Sequence, residues 1–267
     1  MTADGIISRL KRAGVANAGQ ESLWLAAHAL GLSHAEILAR GKFSPDEERR
    51  IDAVISRRIS GEPLQYITGE ADFYGRDFAV GPGVLIPRHD TETLIDGVKM
   101  IFPRDNAFRF LDWGTGSGCI AVTILLEFPN AEGCMLDVSE DALRYARENV
   151  RRYGVHDRVI FDVSGNFDLI ISNPPYIPSG EISGLMREVR DFEPITALDG
   201  GNDGMRYYRE ILTQAHSRLK HGGYIILETG NIEQVTELET FGDFETVREI
   251  FDTGNFPRCI ILRRDSQ

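Results

Sequence analysis

The chain has 267 residues, enough for one large domain or a domain joined to a smaller module. Hydrophobic residues make up 42% and charged residues 26%, the balance of a soluble globular protein. A formal net charge of −12 argues against the broad basic footprint of a duplex-binding protein, and no apolar run reaches the roughly 18 residues that a membrane helix needs.

Residues 1 to about 65 carry helical patterning. Ile6, Ile7 and Leu10 recur at helical spacing, followed by Leu23, Leu25, Ala26, Ala27 and Leu30, then Ile37 and Leu38. Gly31 reads as a helix stop and Ser33 as a cap. Ser44-Pro45-Asp46-Glu47 opens another helix, with Ser as N-cap, Pro in the first turn and acids at the positive end. That helix is expected to run to about Ser60, where Gly61-Glu62-Pro63 breaks it. The basic runs between Arg49 and Arg58 and at Arg151-Arg152 read as solvated helix faces. The start of the chain, Met1 to Gly5, has no basic and apolar leader pattern, so no secretory signal is expected. Cys119, Cys134 and Cys259 are few and scattered, which predicts a reducing, cytoplasmic setting in which each is a small buried hydrophobe.

Phe73 to Val80 reads as a hairpin turning near Gly75. After Gly81-Pro82-Gly83, the segment Val84-Leu85-Ile86-Pro87 leads to a helix beginning near Asp90 or Thr91. From Phe108 the pattern alternates: strand to Asp112, helix from Cys119 to Phe128, strand from Glu132 to Asp137, helix from Glu140 to Tyr153. Strands are expected at Val159 to Val163 and Phe167 to Ser172, a helix at Tyr207 to Leu219, and a strand at Gly223 to Glu228. Residues 244–251 and 258–263 look like a closing strand pair. Such alternation predicts an α/β sheet covered by helices.

Three strand ends carry the chemistry. Phe167 to Ser172 closes in Asn173-Pro174-Pro175-Tyr176. Asn offers a donor and an acceptor, and the prolines remove two backbone donors while leaving rigid carbonyls. Tyr176 adds a flat face, so the segment suits a planar group bearing an NH2; a rigid turn is the plainer alternative. The first strand of the alternating region ends in Asp112-Trp113-Gly114-Thr115-Gly116-Ser117-Gly118. A dinucleotide fingerprint would need glycine at position 119, which is cysteine, and no lysine follows to make a Walker loop. The G-x-G-x-G spacing after an acid favours S-adenosylmethionine. The next strand ends in Asp137, whose carboxylate could take two hydrogen bonds from a ribose diol or cap the following helix.

With these residues in view, the chain resembles the HemK/PrmC family of N5-glutamine methyltransferases, which modify peptide chain release factors. Gly61-Glu62-Pro63-Leu64-Gln65-Tyr66-Ile67-Thr68-Gly69 is similar to the family's link, and Leu85 to Glu92 to the start of its methyltransferase domain, with His89 and Asp90 where Pro and Glu are common. Asn173-Pro174-Pro175-Tyr176-Ile177 resembles its substrate signature. Glu193-Pro194, Ala197-Leu198 and Gly200 to Gly204 follow its downstream block, and Glu228, Gly230, Gln234, Asp252, Gly254 and Arg258 its C-terminal portion.

The resemblance implies a class I S-adenosylmethionine-dependent methyltransferase: a Rossmann-like, doubly wound seven-stranded sheet with a small N-terminal helical domain and a β-hairpin linker. It divides the chain into a helical substrate-docking domain (1–65), a hairpin linker (66–90) and the methyltransferase domain (91–267). It assigns Gly114, Thr115, Gly116, Ser117 and Gly118 to the methionine end of the cofactor, Asp137 to the ribose, and Asn173 to both cofactor and substrate. Asn173 and the Pro174 carbonyl would accept from the glutamine NH2, beside Pro175, with Tyr176 against the amide plane; Asn173, Pro174 and Tyr176 are the catalytic set. The implied substrate is the Gly-Gly-Gln glutamine of class 1 release factors, the product S-adenosylhomocysteine, with no metal, no membrane and no direct nucleic-acid contact. Three rivals are a large-subunit ribosomal-protein glutamine, an exocyclic amine of DNA or RNA, and a non-catalytic scaffold. One departure is the short segment Asp162-Val163-Ser164-Gly165-Asn166, where the family carries a longer stretch beside the adenine. It predicts weak cofactor binding.

Overall fold

The computed structural model describes residues 2–252 and 254–265. They form two compact units, one of residues 2–70 with Met186–Phe192, the other of Ala71–Leu185 with residues 193–265.

The first unit is helical: α1 (Ala3–Arg12), α2 (Ala18–Leu30), α3 (His34–Leu38), α4 (Pro45–Ile59) and α5 (Leu64–Thr68). Its caps are those expected. Gly31 ends α2 in the left-handed region at φ 68°. Ser33 and Ser44 each form a capping box, with Glu36 and Glu47 answering from three residues on. Ile6, Leu10, Leu25, Ile51 and Ile55 fill the centre of this unit. The basic run on α4 is largely paired: Arg49 with Asp46, Arg57 with Glu62, and Arg58 with both Glu21 and Glu188.

The second unit opens with the hairpin β1 (Glu70–Phe73) and β2 (Arg76–Ala79), turning at Tyr74-Gly75. After α6 (Glu92–Ile101) come β3 (Arg109–Trp113), α7 (Cys119–Glu127), β4 (Glu132–Leu136), α8 (Glu140–Arg152), β5 (Val159–Ile160) and β6 (Phe167–Ser172). The short helix α9 (Arg187–Phe192) belongs to the first unit. Next are α10 (Arg206–Arg218), β7 (Leu219–Glu228), α11 (Ile232–Leu238), β8 (Phe244–Phe251) and β9 (Pro257–Arg264). The seven-stranded sheet has the order β5-β4-β3-β6-β7-β9-β8, parallel except where β9 joins β7 and β8.

Successive residues of a strand face opposite sides, so β3 sends Phe110 into one core and Leu111 into another. Phe73, Phe78, Leu94 and Val98 cover the first; Tyr208, Ile211 and Leu212 cover the second. Burial on both faces explains why these strands read as continuous apolar runs. The chain order reverses between β3 and β6, which opens a crevice at their carboxyl ends. There the Ser172 hydroxyl donates to the Trp113 carbonyl at 2.6 Å and ties the two strand ends together.

Some elements differ from expectation. The strand predicted at 159–163 pairs only through Val159 and Ile160, since β5 is an edge strand that meets β4 at Gly133 and Cys134 alone. Leu219, expected to end a helix, instead begins β7. Helices α9 and α11 were not expected; α11 is seven residues long and is capped by Asn231, whose side chain accepts from the Gln234 N–H. All three cysteines are free and buried, as their apolar neighbours predict.

Candidate active site

A cavity of about 270 Å³ opens at the crevice. It is lined by Gly114, Thr115, Gly116, Ser117, Asp137, Asn173, Pro174 and Pro175 among the residues singled out from sequence. Gly118 and Tyr176 are not part of its wall. Gly118 is instead the N-cap of α7, packed 3.3 Å from the backbone of Ala146 where a Cβ would stand.

The loop after β3 needs its glycines. Gly114 and Gly116 sit at φ 74° and 57°, where other residues are strained. A Cβ on Gly114 would meet nothing within 4 Å, so this backbone faces open space. The N–H groups of Gly114 and Thr115 both donate to the Leu136 carbonyl, at 2.8 and 2.9 Å, which draws the loop to the end of β4. Asp137 holds it there: Oδ2 accepts from the Gly116 N–H at 2.8 Å and Oδ1 from the Ser139 N–H at 2.9 Å. Ser139, not Asp137, caps α8. Beneath the loop Asp112 is fully buried, accepts from the Thr115 hydroxyl at 2.6 Å, and is pushed by burial up to about 7.

Asn149 went unnoticed in sequence. Its side chain exchanges both hydrogen bonds with Ala79 and donates a third, at 2.9 Å, to the Ser117 carbonyl. The available signal is a polar residue on the apolar stripe of α8, alongside Ala142, Ala146 and Val150.

The Asn173–Tyr176 segment is held at both ends. Asn173 Nδ2 donates to the buried Thr91 hydroxyl at 3.0 Å. The Tyr176 hydroxyl lies 3.3 Å from Glu228 Oε1, and its carbonyl accepts from Gln234 Nε2 at 2.9 Å. Burial raises the Tyr176 phenol well above its usual range, so it stays protonated and donates. Gly204 closes against the segment; with φ 75°, a Cβ there would fall 2.4 Å from the Tyr176 carbonyl. Glu193 fastens the opposite wall, accepting from the Ile86 N–H at 3.1 Å and from Arg88.

No residue from 159 to 166 lines the cavity. Asp162 is exposed, and its carbonyl accepts from the Cys134 thiol at 3.2 Å. Asp72, His89 and Glu92 bring ligand atoms within 4.8 Å of one another, outside the cavity lining. Among the described residues no helix is long and apolar enough to cross a membrane.

Family profiles match twice: the PrmC N-terminal domain over residues 4–69 and the methyltransferase small domain over residues 91–187. The release factor glutamine methyltransferase of Koribacter versatilis (strain Ellin345) is 40% identical over 232 residues, covering 84% of this chain and 82% of its own. That of Geobacter sulfurreducens (strain ATCC 51573 / DSM 12127 / PCA) is 39% identical over 258 residues, covering 94% and 87%. Among solved structures, a methyltransferase from Pyrococcus furiosus superposes with a TM-score of 0.53 at 20% identity, over 82% of this chain and 98% of that one, a likeness of fold. At such identity over most of both lengths, the chain belongs to the family of release factor glutamine methyltransferases.

Proposed function

We propose that the chain methylates the side-chain nitrogen of the glutamine in the Gly-Gly-Gln motif of class 1 peptide chain release factors, using S-adenosylmethionine and releasing S-adenosylhomocysteine. The observation that carries this reading is that one cavity is lined both by the glycine loop with Asp137 and by Asn173 and Pro174. The loop residues fit the cofactor. Gly114 leaves open space where a side chain would stand, and each Asp137 oxygen uses one lone pair on a backbone N–H and keeps another for a ribose hydroxyl.

When bound, the cofactor supplies an electrophilic methyl on a positively charged sulfur. The protein's own part is to present the amide nitrogen, a poor nucleophile whose lone pair is delocalised. Asn173 Oδ1 and the Pro174 carbonyl accept its two hydrogens, which polarises the nitrogen and fixes its direction. Pro174 and Pro175 bring no N–H to compete for the substrate. Tyr176 holds the motif through Glu228 and Gln234. Catalysis on this scheme is positioning with electrostatic matching to the transition state.

The helical module of residues 1–65 is assigned to docking the remainder of the protein substrate, and a cytoplasmic location suits that partner. The test is mass spectrometry of a class 1 release factor incubated with enzyme and cofactor. A methyl group on the Gly-Gly-Gln glutamine is expected. An unmodified glutamine beside an active control enzyme, or label moving instead to oligonucleotides or a ribosomal protein, would overturn the reading.

A further inference from the structure

The segment that leaves the hairpin lies along α8 and ends at the cavity wall. Resting on the reading of the glycine loop as the cofactor's seat, we propose that residues 77–84 are a positioning strap for that loop. Asn149 joins the two, so that the order of the hairpin and the affinity for S-adenosylmethionine support each other.

Strap and helix match in length. The Asp77 carbonyl accepts from Tyr153 Oη at 2.7 Å and from Arg152 Nη1 at 3.0 Å. Ala79 exchanges hydrogen bonds with Asn149 at 2.8 and 3.0 Å. A Cβ on Gly81 would fall 2.1 Å from Tyr145 Oη, and one on Gly83 would fall 2.9 Å from Asp141 Cβ. Two extended residues advance about 6.6 Å and four helical residues about 6 Å, so alternate residues of the strap meet successive turns of α8. Phe78 and Val80, which fall on the other side, are buried.

Asn149 is fully buried, and its amide is saturated. Its oxygen accepts from the Ala79 N–H, and Nδ2 donates both to the Ala79 carbonyl and, at 2.9 Å, to the Ser117 carbonyl in the glycine loop. A shift of either the strap or the loop leaves a buried polar group unpaired. Beyond Asn149 the strap reaches the cavity itself, where Gly83 and Val84 line the wall beside Gly116 and Ser117. Val84 Cγ2 is 3.8 Å from the place of a Cβ on Gly116. Ala79 and Asn149 do not line the cavity, so whatever they add to cofactor binding passes through Ser117 and Val84. Asn149 is therefore a positioning residue. By linkage, cofactor that tightens the loop must tighten Ala79 in return.

The experiment joins hydrogen exchange to calorimetry with S-adenosylmethionine. In the wild type, saturating cofactor should slow exchange of the Ala79 amide about 10-fold, together with the loop amides. Gly81 has no positive φ, so Gly81→Ala acts only by crowding Tyr145 and lifting the strap. It should weaken cofactor binding about 10-fold, while Tyr145→Ala alone stays within about threefold and the double variant returns to within about threefold of wild type. At saturating cofactor, kcat and the KM for a class 1 release factor should stay within about threefold in each of these proteins. Asn149→Asp sets a carboxylate against two carbonyls and should weaken cofactor binding about 10- to 100-fold. If that variant melts below the assay temperature, the Gly81 and exchange results carry the test. Unchanged affinity in Gly81→Ala, no recovery with Tyr145→Ala, or unaltered exchange at Ala79 overturns the strap while cofactor binding stands. No binding of S-adenosylmethionine by the wild type overturns the cofactor reading itself.

Discussion

Two buried carboxylates stand under the two halves of the cavity, Asp112 beneath the glycine loop and Glu228 beneath the Asn-Pro-Pro-Tyr segment. Both are at 1% exposure or less, both leave one oxygen without a partner, and burial raises both to about 7. Their partners differ. Asp112 is held by the loop that it braces, through the Thr115 hydroxyl. Glu228 is met by the hydroxyl of Tyr176, a residue of the substrate segment itself. Each carboxylate is thus tied by one hydroxyl to the segment above it, Asp112 to the cofactor loop and Glu228 to the substrate segment.

The largest effect expected to break this comparison is at Asn173. Asn173→Ala should lower the methylation rate about 10²- to 10³-fold, measured by label transfer, with cofactor affinity nearly unchanged. An equal loss of cofactor affinity would mean that the two halves are not separable. Asp137→Ala should do the converse, weakening cofactor binding in calorimetry by on the order of 2 kcal/mol as charge-assisted hydrogen bonds are lost. Asp112 should show itself in stability. Its folded pKa lies above the unfolded value, so the folded state keeps a proton that the unfolded chain releases, and stability falls as pH rises from about 4 to about 7. Asp112→Asn removes that fall. Between pH 5 and pH 8 it should gain on the order of 1–2 kcal/mol relative to wild type, read from urea melts. The smallest effect is at Asp162, which does not line the cavity. Asp162→Ala should shift cofactor affinity by less than about twofold, against a wild-type affinity weaker than micromolar; a micromolar wild-type Kd would overturn the expectation that the short 162–166 segment weakens binding.

What could be read from the sequence divides along the same line. The caps at Ser33 and Ser44 are signals within a few residues, and so are the glycine loop and the Asn-Pro-Pro-Tyr segment; the structure forms both caps and brings the loop, Asp137 and Asn173 to Pro175 to one cavity. Thr91 and Glu228 were visible only as a helix start and a family match. Their meaning depends on contacts spanning 82 residues to Asn173 and 52 residues to Tyr176, which no local pattern encodes. The length of β5 was misjudged because an apolar run marks burial, whereas an edge strand ends where its single neighbour stops pairing. Helix α11 was missed because seven residues are too few to establish a period.

The helical unit is not contiguous in sequence, since Met186–Phe192 folds with residues 2–70. That has a consequence for anyone building chimeras from related chains. A single crossover at residue 70 would transplant Arg58, whose side chain is only 10% exposed, without Glu188, one of the two carboxylates that neutralise it. The module is a discontinuous pair of segments, and recombinants that exchange both together keep the Arg58–Glu188 pair intact.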